Sequence, residues 1–134
     1  MVVDFIELES YSGIGLTSAR LLSRLTDGRE LSDVTVSRME KLLNSIECGD
    51  RISKECKIGE GVVDVLRDWR IANAVLLSLG YHGEKRGEKA REYLSCIDSL
   101  KNNRELSEEQ KLDLGGFLGK LRDYCTEEHR KLMS

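Results

Sequence analysis

The sequence contains no proline and few aromatic residues. Proline is the strongest breaker of helices, and aromatic side chains are among the residues that strands prefer. Only 5% of the residues are aromatic, whereas 40% are hydrophobic and 34% are charged. This composition argues against an all-β fold and against disorder, and it predicts a mostly helical protein.

The sequence also lacks an excess of positive charge and a long apolar segment. Its 21 basic and 24 acidic residues give a net charge of −3, so no overall positive field would attract nucleic acid or an anionic membrane. The start, MVVDFIELES, carries acidic residues where a signal peptide needs basic ones, and no stretch approaches the length of a membrane span. We therefore expect an intracellular protein, cytoplasmic or nuclear, with no membrane partner.

Metal ligands and nucleophiles are few and scattered. The chain has four cysteines and two histidines but no Cys-x-x-Cys pair. Cys125 and His129 would share a helix face, and Cys48 or Cys56 could complete a set of ligands. The spacing favours a core cysteine beside a surface histidine over a metal site. We expect no cofactor, no metal and no catalytic residues, so the protein is predicted not to be an enzyme. An enzyme or metal protein built on Cys125 and His129 remains a third hypothesis.

The hydrophobic pattern predicts one all-α domain over residues 1–134, a bundle of five or six helices. Residues 62–79 form the longest hydrophobic element. Its second half is apolar nearly all round, which predicts a place at the centre of the bundle. A capping box at Ser107 predicts a last helix over 108–133, packed along the central helix or exchanged with a second copy.

Two polar, glycine-rich segments are predicted as connections between helices. Residues 48–61 contain three glycines, and Gly49 is predicted to end the helix before them. Residues 81–89 hold the sequence GEK twice and are predicted to form an exposed loop.

The leading functional hypothesis is a non-enzymatic protein-protein interaction module, an adaptor, inhibitor or assembly subunit that presents a groove or helix face. Leucines in the last helix step by four and three residues, which suits packing in a bundle or across a homodimer. Trp69 lies among charged residues on the predicted central helix and would anchor an interface if its face is open. The predicted interface residues are Trp69, Leu114, Leu118 and Leu121.

The alternative hypothesis is nucleic-acid binding through residues 11–25. This segment resembles the helix-hairpin-helix motif of DNA-binding proteins, and the matching residues are Gly13, Ile14, Gly15 and Ala19. The resemblance implies a tight hairpin between two helices, with backbone amides that bind a DNA phosphate without reading sequence. Arg20 and Arg24 would then reach further phosphates. An ordinary turn between two packed helices is the other interpretation.

Overall fold

The computed structural model describes residues 5–55 and 61–134, and these ranges contain no strand. The five helices are α1 (Phe5–Asp27), α2 (Asp33–Glu55), α3 (Val62–Ser78), α4 (Glu84–Lys101) and α5 (Glu108–Met133). The all-α prediction is confirmed, with five helices. Part of the connection predicted at residues 48–61 lies outside the described residues.

A cluster of buried hydrophobic side chains draws members from all five helices. In this cluster Tyr93 of α4 stacks on Phe117 of α5, with ring centroids 4.7 Å apart. Helix α3 contributes Ile71 and Val75 to the cluster, whereas its Leu77 lies at the surface. Each helix therefore buries one face and leaves another to solvent.

Helices α1 and α5 pack along each other in antiparallel orientation and form the most extensive helix contact. Gly15 lies opposite Cys125, and Gly115 lies opposite Leu25 at the other end of the pair. A Cβ atom at Gly15 would be 3.6 Å from the Cβ of Cys125, so the two backbones come close there. Helix α5 also contacts α3, the helix along which the sequence predicts it to pack, but its contact with α1 is larger, and the sequence analysis does not predict that contact.

The start of α5 matches its prediction. The backbone N–H of Gln110 donates to the Ser107 hydroxyl at 3.1 Å, and the backbone N–H of Ser107 donates to the Gln110 side chain at 2.9 Å. The predicted capping box is confirmed.

The turn predicted at Gly13 and Gly15 is wrong, because both glycines lie inside the continuous helix α1. The hydroxyls of Thr17 and Ser18 donate to the carbonyls one helical turn earlier, at 2.8 Å each. Gly13 faces open space, and Gly15 faces α5. Tertiary packing therefore outweighs the low helix propensity of glycine, which amounts to about 1 kcal/mol per residue.

Two further boundaries are corrected. Helix α2 continues through Gly49 to Glu55 rather than ending at Gly49, because this glycine is packed against α3. Helix α4 begins at Glu84, inside the segment 81–89 that the sequence predicts as an exposed loop, and its Lys89 is buried. Carboxylates on the same helix and on neighbouring helices pair with the basic side chains of this segment.

Candidate interaction surface

A surface groove lies between the start of α1 and the first half of α3. Its volume is about 410 Å³, and we call it the Trp69 groove. The apolar lining comes from α3, and charged side chains from α1 and α3 form the rim. The lining residues are Val63, Leu66, Trp69, Glu7, Arg67 and Arg70.

Trp69 is half-buried, and helix α2 fixes its orientation. A Cβ atom at Gly49 would overlap the indole and would lie 2.7 Å from the Cβ of Trp69, so only glycine fits there. The indole N–H donates to the Asp50 carboxylate at 2.8 Å. Because its one polar group is satisfied within the protein, the indole offers a partner apolar surface.

The carboxylate of Asp50 also holds α4. Arg86 donates from one nitrogen to both Asp50 oxygens at 3.2 Å, and from another to the Asn73 side chain at 2.6 Å. The groove is therefore backed by a network that joins α2, α3 and α4.

The rim of the groove carries two ion pairs. Arg70 of α3 pairs with Glu7 of α1, and this hydrogen bond raises the pKa of the guanidinium. Arg67 pairs with Asp64 one turn earlier, at 3.0 Å. The rim thus has two positive and two negative side chains around an apolar lining.

The other predicted interface residues lie elsewhere. Leu114, Leu118 and Leu121 are fully buried in the core cluster. Because α1 already covers α5, the structure does not bring these leucines to the Trp69 groove or to any other surface.

The residues of the DNA-binding hypothesis share helix α1. Ile14 is buried, Arg20 is exposed and Arg24 is half-buried. Gly13 and Gly15 stand in the middle of the helix, where backbone amides bond to carbonyls of the preceding turn. The hairpin turn, whose backbone amides would bind a phosphate, is therefore not formed.

Cys125, the basis of the third hypothesis, is fully buried. Burial raises the pKa of its thiol to about 12, so at neutral pH it is a protonated thiol and a poor nucleophile or metal ligand. The described residues include no group of three or more side chains arranged to hold a metal ion. Cys56 lies outside the described residues.

A second polar cluster joins α4 to α5. Lys89 donates to Glu92 at 2.8 Å and to Asp113, which also accepts from the Tyr93 hydroxyl at 3.0 Å. Burial opposes the charged form of Lys89, but the hydrogen bonds to Asp113 and Glu92 outweigh it and raise the lysine pKa. These hydrogen bonds join α4 to α5.

Comparisons with protein-family profiles, with curated proteins and with solved structures gave no match. None of the helices in the described ranges is both long and apolar enough to cross a membrane. In the part of the chain that the structure describes, the fold is all-α, with five helices and an apolar groove on α3.

Proposed function

We propose that the protein is a non-enzymatic interaction module that binds an apolar helix face of a partner in the Trp69 groove. The observation that supports this most is the open groove itself, lined by Val63, Leu66 and Trp69. These residues recur every three positions along α3, over about two helical turns. A ridge of apolar side chains on a partner helix fits between such rows, as in helix-in-groove recognition.

The preorganisation of Trp69 supports its role as the anchor. Tryptophan is enriched among residues that dominate binding energy at interfaces. Gly49 and Asp50 already hold the indole in one orientation, so binding would lose little side-chain entropy there. The charged rim would then set the orientation of the partner helix.

The proposed module works inside the cell as an adaptor, an inhibitor or an assembly subunit. The described cysteines Cys48, Cys96 and Cys125 are free thiols, which supports a reducing compartment. The DNA-binding alternative loses its support, because the segment 11–25 forms no hairpin.

Selection of short helical peptides from a random display library tests the proposal. Wild-type protein is the bait, and Val63→Asp is the variant used for comparison. Val63 is 68% exposed, so the substitution puts a charge into the groove without disturbing the core. Leu112→Asp is the matched control, because Leu112 is 77% exposed on α5, away from the groove.

We expect enriched peptides with apolar residues spaced by three and four positions. They should bind wild type and Leu112→Asp alike, and Val63→Asp about tenfold or more weakly. Enriched peptides that bind Val63→Asp as tightly as wild type would contradict the proposal, as would a failure to enrich any peptide on bait that is dilute enough to be monomeric.

A further inference from the structure

We infer that the partner in the Trp69 groove is a second copy of this chain, with the two α3 helices antiparallel about a twofold axis. This inference rests on the groove being an interaction surface, as proposed above. A twofold interface places the same patch of both copies face to face, so the patch must be complementary to itself.

The charges of the rim meet this requirement. Asp64 stands near the start of α3 and Arg70 two turns later, and both side chains are more than half exposed. In an antiparallel pair centred near Leu66, Val63 of one copy faces Trp69 of the other. Asp64 then lies beside the turn that carries Arg67 and Arg70 in the second copy.

A partner of one charge sign fits the rim less well. An acidic helix would meet Glu7 and also Asp64, which pairs with Arg67, and a basic helix would meet Arg67 and Arg70. Each end of the rim carries one charge of each sign, Asp64 with Arg67 and Glu7 with Arg70. A second copy in antiparallel orientation therefore places the exposed Asp64 of each copy near the exposed Arg70 of the other.

Further exposed apolar side chains lie at the start of α1, next to Glu7 in the sequence. A stable dimer buries about 800 Å² per partner, which requires more surface than a few side chains of one helix. Phe5 and Ile6 precede Glu7 on α1 and are exposed. With Val63 they make up three of the eight large hydrophobic side chains that are exposed in the described residues. This end of the molecule therefore has the apolar area that a dimer would cover.

Sedimentation velocity of the full chain over a wide range of concentration tests the inference. Wild type should form a reversible dimer. Val63→Asp should raise its dissociation constant about tenfold or more, and Leu112→Asp should leave it unchanged. Far-UV circular dichroism and thermal melting check that each variant is folded.

A charge exchange tests the antiparallel geometry. Asp64→Arg alone and Arg70→Glu alone should each weaken the dimer, because each places like charges opposite one another. An equal mixture of the two variants should dimerise again, since both contacts then join opposite charges. Recovery in the mixture would not occur if the two variants weakened the dimer by damaging the fold.

The outcomes separate this inference from the proposed function. A wild type that stays monomeric at all concentrations would overturn the inference that the partner is a second copy. A dimer that Val63→Asp does not weaken would overturn it as well. If selected peptides still require Val63 in that case, the groove keeps its proposed function with another protein. If neither peptides nor a second copy depend on Val63, both proposals fail.

Discussion

Helices α1 and α5 are held together differently from α4 and its neighbours. The α1–α5 contact is apolar and close, with Gly15 and Gly115 facing the opposite helix, and it has no ion pair among the residues that the structure describes. Helix α4 also contributes apolar side chains such as Tyr93 to the core, but it is in addition tied to α2 and α5 by charged side chains. Its ion pairs to other helices are Arg86–Asp50, Arg91–Glu47 and Lys89–Asp113. The difference shows that a glycine inside a helix can be the point where another helix packs closely. It also shows that a highly charged segment can be a helix that ion pairs hold against its neighbours.

The largest expected effect is on the apolar contact. Leu118→Ala should lower the free energy of unfolding by about 3 kcal/mol, because the fully buried side chain leaves a cavity in the core. Urea denaturation measures the change. Leu112→Ala, on the same helix but exposed, should have little effect. Equal losses of stability in the two variants would show that Leu118 is not in the core.

The second largest effect on stability is expected where α2 packs closely against Trp69. Gly49→Ala should lower the free energy of unfolding by about 2 kcal/mol, because the new methyl group overlaps the indole and must push the helices apart. Gly13→Ala is the control, since its methyl group meets nothing within 4 Å. That change should stabilise α1 by about 0.5–1 kcal/mol. Denaturation curves in which both variants gain stability would contradict the contact at Gly49.

The charged attachment of α4 should be weaker than the apolar contact. Asp50→Ala removes the acceptor of both Trp69 and Arg86 and should lower the free energy of unfolding by about 1–2 kcal/mol. Glu47→Ala, which breaks the exposed pair with Arg91, should lower it by less than about 1 kcal/mol. A loss of unfolding free energy for Asp50→Ala as large as that for Leu118→Ala would contradict the expectation that the charged contacts of α4 are the weaker ones.

The buried thiol of the α1–α5 contact predicts a pH dependence. Burial raises the pKa of Cys125 from its ordinary 9.0 to about 12. Between these values the unfolded chain loses the proton and the folded protein keeps it, so stability falls as pH rises. From about pH 8 to about pH 10 the loss due to this group should be about 1.4 kcal/mol. Cys125→Ala should lack this part of the decline. Parallel pH profiles of wild type and variant would refute the assignment.

Much of the fold follows from local sequence signals. The absence of proline predicts the helices, and the Ser107 capping box predicts the start of α5. A turn and a close contact between helices give a glycine the same local signal, so the sequence predicts a turn where only the residue on the opposite helix shows a contact. For Gly49 that residue is Trp69, which lies on another helix.

The candidate site was predicted in part. Its charged neighbours single out Trp69 in the sequence, but no local signal marks Gly49 and Asp50, which orient it. The segment before Lys89 was misassigned because its carboxylate partners, Asp50 and Asp113, are distant in sequence. The leucines of α5, Leu114, Leu118 and Leu121, have the same spacing whether α1 or a partner chain covers them. Their periodicity therefore does not distinguish a core from an interface.

The emission of Trp69, the single tryptophan, tests most directly whether the Trp69 groove is where this protein binds. The measurement is the emission spectrum while the best selected peptide is added to protein that is dilute enough to be monomeric, so that Trp69 is open to the peptide. We predict a saturable blue shift in wild type and in Leu112→Asp, because the peptide removes the indole from water. In Val63→Asp the spectrum should stay unchanged over the same range. A peptide that binds wild type without changing the emission, or that shifts it equally in Val63→Asp, would contradict the proposed site.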